Sequence, residues 1–231
     1  MLGPIDYSMW SADFLTEVVC LVCLLKKRAF SRHFTLVLYI CASIAVGVTR
    51  YSILATSGFT SVPYYYFYFF SDALLTICLY FVLMTLYAHV FSEMGVSKQV
   101  RGGAMLLLGG TAGISYYMVA TSSDKLVTHF VIELSQNLYF VGVVLTYLLW
   151  GAMIKLRENR THLMQLVLSM GVYFSAFAGS FALDNMYPHA AVWRYVFHLM
   201  AMWLPVSWAY TFMKVPEDAQ IATARVLAPN R

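Results

Sequence analysis

Seven apolar runs, each about as long as a bilayer is thick in helical residues, dominate this sequence: roughly 9–25, 34–56, 64–91, 103–121, 126–154, 163–186 and 191–213. A helix needs about 20 mostly apolar residues to cross the hydrocarbon layer, and only a helix or a closed barrel satisfies its own backbone there. The rest of the chain is too short to hide such runs in a water-soluble core. Of the 231 residues 61% are hydrophobic and 11% charged, with a mean hydropathy of +0.69, against about 25% charged in a soluble domain. The expectation is an all-α, multi-pass membrane protein, a single seven-helix transmembrane bundle over residues 1–231. The third and fifth runs exceed what a bilayer requires and should tilt or project beyond it.

The basic residues orient the bundle. Lys26, Lys27, Arg28 and Arg32 lie between the first two spans. Lys98 and Arg101 lie between the third and fourth, and Lys155, Arg157 and Arg160 between the fifth and sixth. Lys214, Arg225 and Arg231 follow the last. Twelve basic residues thus fall on one side and three, Arg50, Lys125 and Arg194, on the other. By the positive-inside rule the N-terminus is outside and the C-terminus cytoplasmic. The N-terminal stretch carries Asp6 and Asp13 where a signal peptide has basic residues, so it is expected to be retained. The loops are short and residues 215–231 form only a cytoplasmic tail, so any chemistry belongs to the bundle or its mouths. The net charge of +4 serves orientation and implies no nucleic-acid partner. Cys20, Cys23, Cys41 and Cys78 sit inside apolar runs as packing residues. Gly109 and Gly113, and Gly171, Ser175 and Gly179, have the four-residue spacing of close helix packing. Pro205 should kink the last span.

The informative residues are the ionisable ones inside spans. Seven aromatics, residues 64–70, lead directly into Ser71 and Asp72 in the third span. Glu17 lies at a similar depth in the first span, Arg50 near the outer end of the second, and Glu133 in the fifth. Asp184 lies near the outer end of the sixth, and Arg194 and His198 open the seventh. All are in the outer half. Asp13 and Glu17, His129 and Glu133, and Arg194 and His198 are each four apart, and Asn137 continues the stripe of Glu133. Residues four apart share a helix face. On the third span Asp72, Thr76 and Tyr80 repeat every four, with Tyr65 and Tyr68 extending that face outward. A charge in the membrane costs about 2.5–3.5 kcal/mol, and such groups face the bundle interior. Five acids (Asp13, Glu17, Asp72, Glu133, Asp184) against Arg50 and Arg194 make a pocket that favours a cation or an amine. The competing reading is structural: ion pairs locking the bundle, snorkelling side chains and an interfacial tyrosine belt.

Several chemistries are excluded or narrowed by what is missing. The last span has no lysine, so a retinal Schiff base is excluded. Zinc in the manner of seven-helix hydrolases would draw on His129, His198 and Asp72, but the His-x-x-x-His of their last span is absent. A haem between His129 and His198 lacks the paired histidines of membrane cytochromes. No cofactor is required by the sequence. The inner half offers no polar route, since the first span continues VVCLVCLL and the fifth VGVVLTYLLW.

The run KKRAFSRHFTLVLYICASIAV, with YYYFYFFSDALL and LYAHVF after it, resembles uncharacterised bacterial seven-helix integral membrane proteins. That resemblance implies a bacterial inner membrane and brings no activity. The expectation for function is an outward-facing polar pocket for a small molecule or cation, in a sensor or receptor-like subunit that acts through a membrane or cytoplasmic protein partner. The rivals are a transporter or channel subunit, a metal-dependent intramembrane hydrolase and a non-catalytic accessory subunit.

Overall fold

The computed structural model describes residues 4–27, 33–58, 61–91, 97–120, 126–155, 160–187 and 193–216, with side chains left undescribed at 4–6, 97–101, 104–105, 118–120, 126–129, 185 and 193–195. These residues form seven α-helices: α1 Pro4–Lys26, α2 Phe34–Ser57, α3 Val62–Val90, α4 Ser97–Ala120, α5 Leu126–Lys155, α6 Thr161–Met186 and α7 Trp193–Lys214. The apolar runs therefore locate every helix. The ends differ where polar residues continue a helix past the apolar stretch: α4 begins at Ser97 rather than near 103, and α1 begins at Pro4, a residue suited to the first helical turn. The proposed tail beyond residue 216 lies outside the described residues.

By length and composition five helices are able to cross a membrane: Tyr7–Lys26, Phe34–Ser57, Val62–Val90, Phe130–Lys155 and Thr161–Asp184. Over the described residues α4 and α7 fall short of that measure. Described side chains cover only part of α4, and Trp, Tyr, Ser and Thr dilute α7. Both nevertheless pack within the bundle, α7 along α1 and α6, α4 along α5. Large apolar side chains such as Leu15, Val22, Leu106, Val144, Leu148 and Leu199 are exposed around the outside, an outer surface suited to lipid rather than water.

The helices close a ring. α1 packs on α2, α2 on α3, α3 on α5, α5 on α6, α6 on α7, and α7 returns to α1, with α4 outside the ring against α5 and α3. Chain breaks are set by local chemistry. Gly58 ends α2 at φ 80°, a left-handed value that a side chain disfavours. Ser61 then caps α3, its hydroxyl accepting from Tyr64 N–H at 3.3 Å, with Pro63 in the first turn.

Toward the end of the bundle where α1, α3, α5 and α7 finish, the interior is solid. Leu83, Leu149, Met153, Leu166, Met170 and Trp208 are wholly buried there. Polar ties hold helix pairs at fixed register: Thr35 with Thr85 at 3.1 Å, the Tyr87 hydroxyl donating to the Leu145 carbonyl at 2.5 Å, and the Trp208 indole donating to the Ser169 hydroxyl at 3.0 Å. Close helix approach follows the small-residue spacing of the sequence only at Gly171. A Cβ on Gly142 would lie 2.5 Å from the Phe174 ring, and one on Gly171 would lie 3.3 Å from Thr146, so α5 and α6 meet there. Gly109, Gly113 and Gly179 have nothing within 4 Å of a Cβ, so those three positions make no close helix contact among the described residues.

Candidate functional site: an acid-lined cavity

At the opposite end, where α1, α3, α5 and α7 begin, the ring opens around a cavity of about 600 Å³. Six helices wall it, and each does so by a stripe at helical spacing. From α1 come Trp10, Asp13 and Glu17; from α3, Tyr65, Tyr68 and Asp72; from α7, His198, Ala201 and Pro205. α2 adds Ser43, Gly47 and Arg50, α5 adds Ser135, Gln136 and Tyr139, and α6 adds Tyr173 and Phe177. The volume lies within the range of small-molecule sites, about 300–1,000 Å³.

Two of the three carboxylates in the wall are held by serines from the facing helix. Ser43 donates to Glu17 across α1 and α2. Ser135 donates to Asp72 Oδ2 across α3 and α5 at 2.7 Å, with Thr76 beside it at 3.3 Å. The Asp13 Oδ1 atom is buried and accepts no hydrogen bond among the described residues. Arg50 is the one Arg or Lys of the wall among the described residues, and its Nε and Nη2 turn to α3. Nε and Nη2 donate to the Ser71 hydroxyl at 3.0 and 2.7 Å, and Nη2 donates to the Tyr68 carbonyl at 3.0 Å. Its guanidinium also lies 4.3 Å from the centre of the Tyr68 ring. Arg50 therefore acts as a strap between α2 and α3 at the rim.

The floor is aromatic. Tyr39, Tyr139 and Tyr173 line it together, with Thr76 beside them. Tyr139 stacks on Phe177 at 5.0 Å, and Tyr39 meets the buried Trp208 edge-on at 5.8 Å. Beneath that layer begins the solid apolar core.

Of the residues singled out from sequence, Glu17, Arg50, Asp72 and His198 line this cavity. Glu133, Asn137 and Asp184 do not. On α5 each residue advances by about 100°. The stripe Ile132, Ser135, Gln136, Tyr139 faces the cavity, which turns Glu133 and Asn137 to the flank. Asn137 instead donates to Ser115 of α4 at 3.0 Å. The side chains of His129 and Arg194 lie outside the described residues. Among the described residues no three His, Cys, Asp or Glu side chains are arranged to hold a metal ion, so a zinc site on His198 and Asp72 has no third described ligand. Ser43, Ser135 and the floor tyrosines carried too weak a sequence signal to be found, because hydroxyls in membrane helices are common packing residues.

A second polar group lies at the far end. His33, before α2, packs its ring 5.9 Å from that of His89 at the end of α3 and 6.0 Å from His162 at the start of α6. Phe212 covers His33 and His162 edge-on at 5.5 and 4.8 Å. The sequence separates these histidines widely, and only the antiparallel arrangement brings them to one level.

Comparison with known proteins gave no match: no family model, characterised protein or solved structure aligns with this chain.

Proposed function

We propose that this chain is an integral membrane protein whose acid-lined cavity opens to the outer face and binds a small molecule or a cation, in a sensor or receptor-like role. The observation that carries the reading is the combination of an open, charged mouth and a sealed floor. Carboxylates from α1 and α3 face a cavity of about 600 Å³, while Tyr39, Tyr139 and Tyr173 and the apolar layer beneath close the way through. A binding site without a continuation suits reception of a ligand better than its passage. The twelve basic residues on the other side fit a cytoplasmic face, in a bacterial inner membrane, where a protein partner would read occupancy.

A structural role is the second reading, favoured by the Ser43–Glu17 and Ser135–Asp72 bonds, which tie helices together. The two are separated by melting the purified protein in detergent with a panel of alkali cations, zinc, amines, sugars and small anions. Any ligand that binds only the folded form raises the melting temperature. For the binding role, at least one compound stabilises the wild type, and Asp72→Asn removes that stabilisation while leaving the ligand-free melting temperature nearly unchanged. A panel with no effect on the wild type overturns it.

A further inference from the structure

We infer that the ligand of this cavity is an amphipathic amine drawn from the outer leaflet between α1 and α2, with its ammonium group at Asp13 and Glu17. The inference rests on the binding role proposed above and names the chemistry of its ligand and the route it takes.

The head group follows from the balance of acceptors and donors. Asp13, Glu17 and Asp72 face the cavity, and Arg50 turns its Nε and Nη2 donors to Ser71 and Tyr68. Asp13 keeps a buried oxygen with no hydrogen bond among the described residues, one turn from Glu17 on the same face of α1. Pro205 has no N–H, which deprives the Ala201 carbonyl of its helical donor, and both residues line the cavity. A group bearing several N–H donors and a positive charge satisfies this surface, whereas an anion or a pure acceptor does not.

The body follows from the rest of the wall. An inorganic ion needs a few oxygens at close range, not a chamber of about 600 Å³. Phe14, Tyr39, Tyr139, Phe177 and Phe197 give the chamber broad apolar and aromatic faces, which complement a hydrocarbon or aromatic body and cradle a cation by its ring faces.

The route follows from the α1–α2 seam. A groove of about 420 Å³ lies on the outside of this seam, lined by Trp10, Ser11, Phe14, Leu15, Val48 and Tyr51. Trp10, Phe14 and Tyr51 also line the inner cavity, so groove and cavity share a wall in which Trp10 stacks on Tyr51 at 4.9 Å. Leu15 and Val48 are exposed on the lipid side. Gly47 lines the cavity and has no atom within 4 Å of where its Cβ would be. The seam is thus apolar outside, with the carboxylates behind it. An alkyl chain in the groove and an ammonium group inside match that order.

The test places the protein in phosphatidylcholine nanodiscs and measures melting with four probes: dodecylamine, dodecanol, dodecanoate and ethylamine. The expected result is a rise in melting temperature with dodecylamine alone at low concentration. Asp13→Asn with Glu17→Gln should weaken that response about tenfold or more, the scale of losing a charge-assisted contact. Gly47→Leu, which adds bulk to the cavity wall beside the seam, should weaken the response to dodecylamine more than any response to ethylamine. Equal responses of the wild type and the acid double variant mark a bilayer effect and overturn the inference. Ethylamine acting as well as dodecylamine, with Gly47→Leu harmless, overturns the lateral route while the binding role stands. A response to some other compound of the panel, lost in Asp72→Asn with no amine active, overturns the amine assignment alone. Silence from every compound overturns both.

Discussion

Ser135 on α5 donates its hydroxyl to the carboxylate of Asp72 on α3 at 2.7 Å, and this bond joins two walls of the cavity at mid-depth. Hydrogen bonds between membrane helices are worth about 0.6 kcal/mol on average and about 1.7 at most. Ser135→Ala should therefore lower unfolding stability by about 1 kcal/mol, read from the melting temperature in detergent. Asp72→Asn keeps an oxygen for Ser135 to donate to, so it should cost much less. A larger loss from Asp72→Asn than from Ser135→Ala would mean that the charge itself holds the bundle.

Arg50 makes a geometric demand that lysine cannot meet. Two of its nitrogens reach Ser71, one of them also reaches the Tyr68 carbonyl, and the plane lies near the Tyr68 ring. An ammonium group is a point charge without that fork. Arg50→Lys is expected to destabilise the fold by about 1–2 kcal/mol, the loss of one or two charge-assisted bonds. A melting temperature equal to that of the wild type would show that the strap is replaceable.

The fold was legible because the bilayer imposes a length on every crossing helix, and seven runs of that length could be counted directly. The site was legible only in part. Glu17, Arg50, Asp72 and His198 stand out as charged or ionisable groups in apolar surroundings, and the interior of the bundle is where such groups are affordable. Glu133 has the same appearance in sequence yet sits on another face, because a helix turning about 100° per residue offers several polar stripes. The stripe Ser135, Gln136, Tyr139 was the one selected by packing against α3 and α6. No local signal distinguishes the two. The same limit hid part of the approach of α5 and α6: Gly171 lies in a small-residue repeat, but Gly142 is marked only by Thr146 four residues on, and it is the Phe174 ring across the interface that gives it meaning.

That contact yields a prediction. A methyl group on Gly142 would lie 2.5 Å from Phe174, a wholly buried ring. Gly142→Ala should cost about 1–3 kcal/mol through forced separation of α5 and α6. Gly109→Ala meets nothing within 4 Å and should be neutral or slightly stabilising in a helix. Thermal melts of the two variants decide the matter, and a destabilising Gly109→Ala would point to an interface outside this chain.

Orientation is testable without ligand. The bias of twelve basic residues to three predicts that reporter fusions at residues 30, 96 and 158 all read cytoplasmic. The cavity, at the other end of the bundle, would then face outward. An extracytoplasmic signal at any of the three sites would reverse the direction in which the site receives its ligand.

Glu133 and Asp72 provide the sharpest contrast between sequence pattern and cavity geometry. Both are acids inside a predicted span, and both can be replaced by an amide of nearly the same shape. Asp72 lines the cavity, and Glu133 does not. With a stabilising ligand in hand, Asp72→Asn should lower its apparent affinity about tenfold or more, the cost of losing one charge-assisted contact away from bulk water. Glu133→Gln should leave ligand-induced stabilisation within about twofold of wild type, since any effect must act through about 100° of helix surface rather than by contact. Both variants are to be titrated with the same ligand while the ligand-free melting temperature is followed alongside. Loss of the ligand response in Glu133→Gln, with the ligand-free stability intact, would mean that α5 rotates in the bound state and presents its other polar stripe to the cavity.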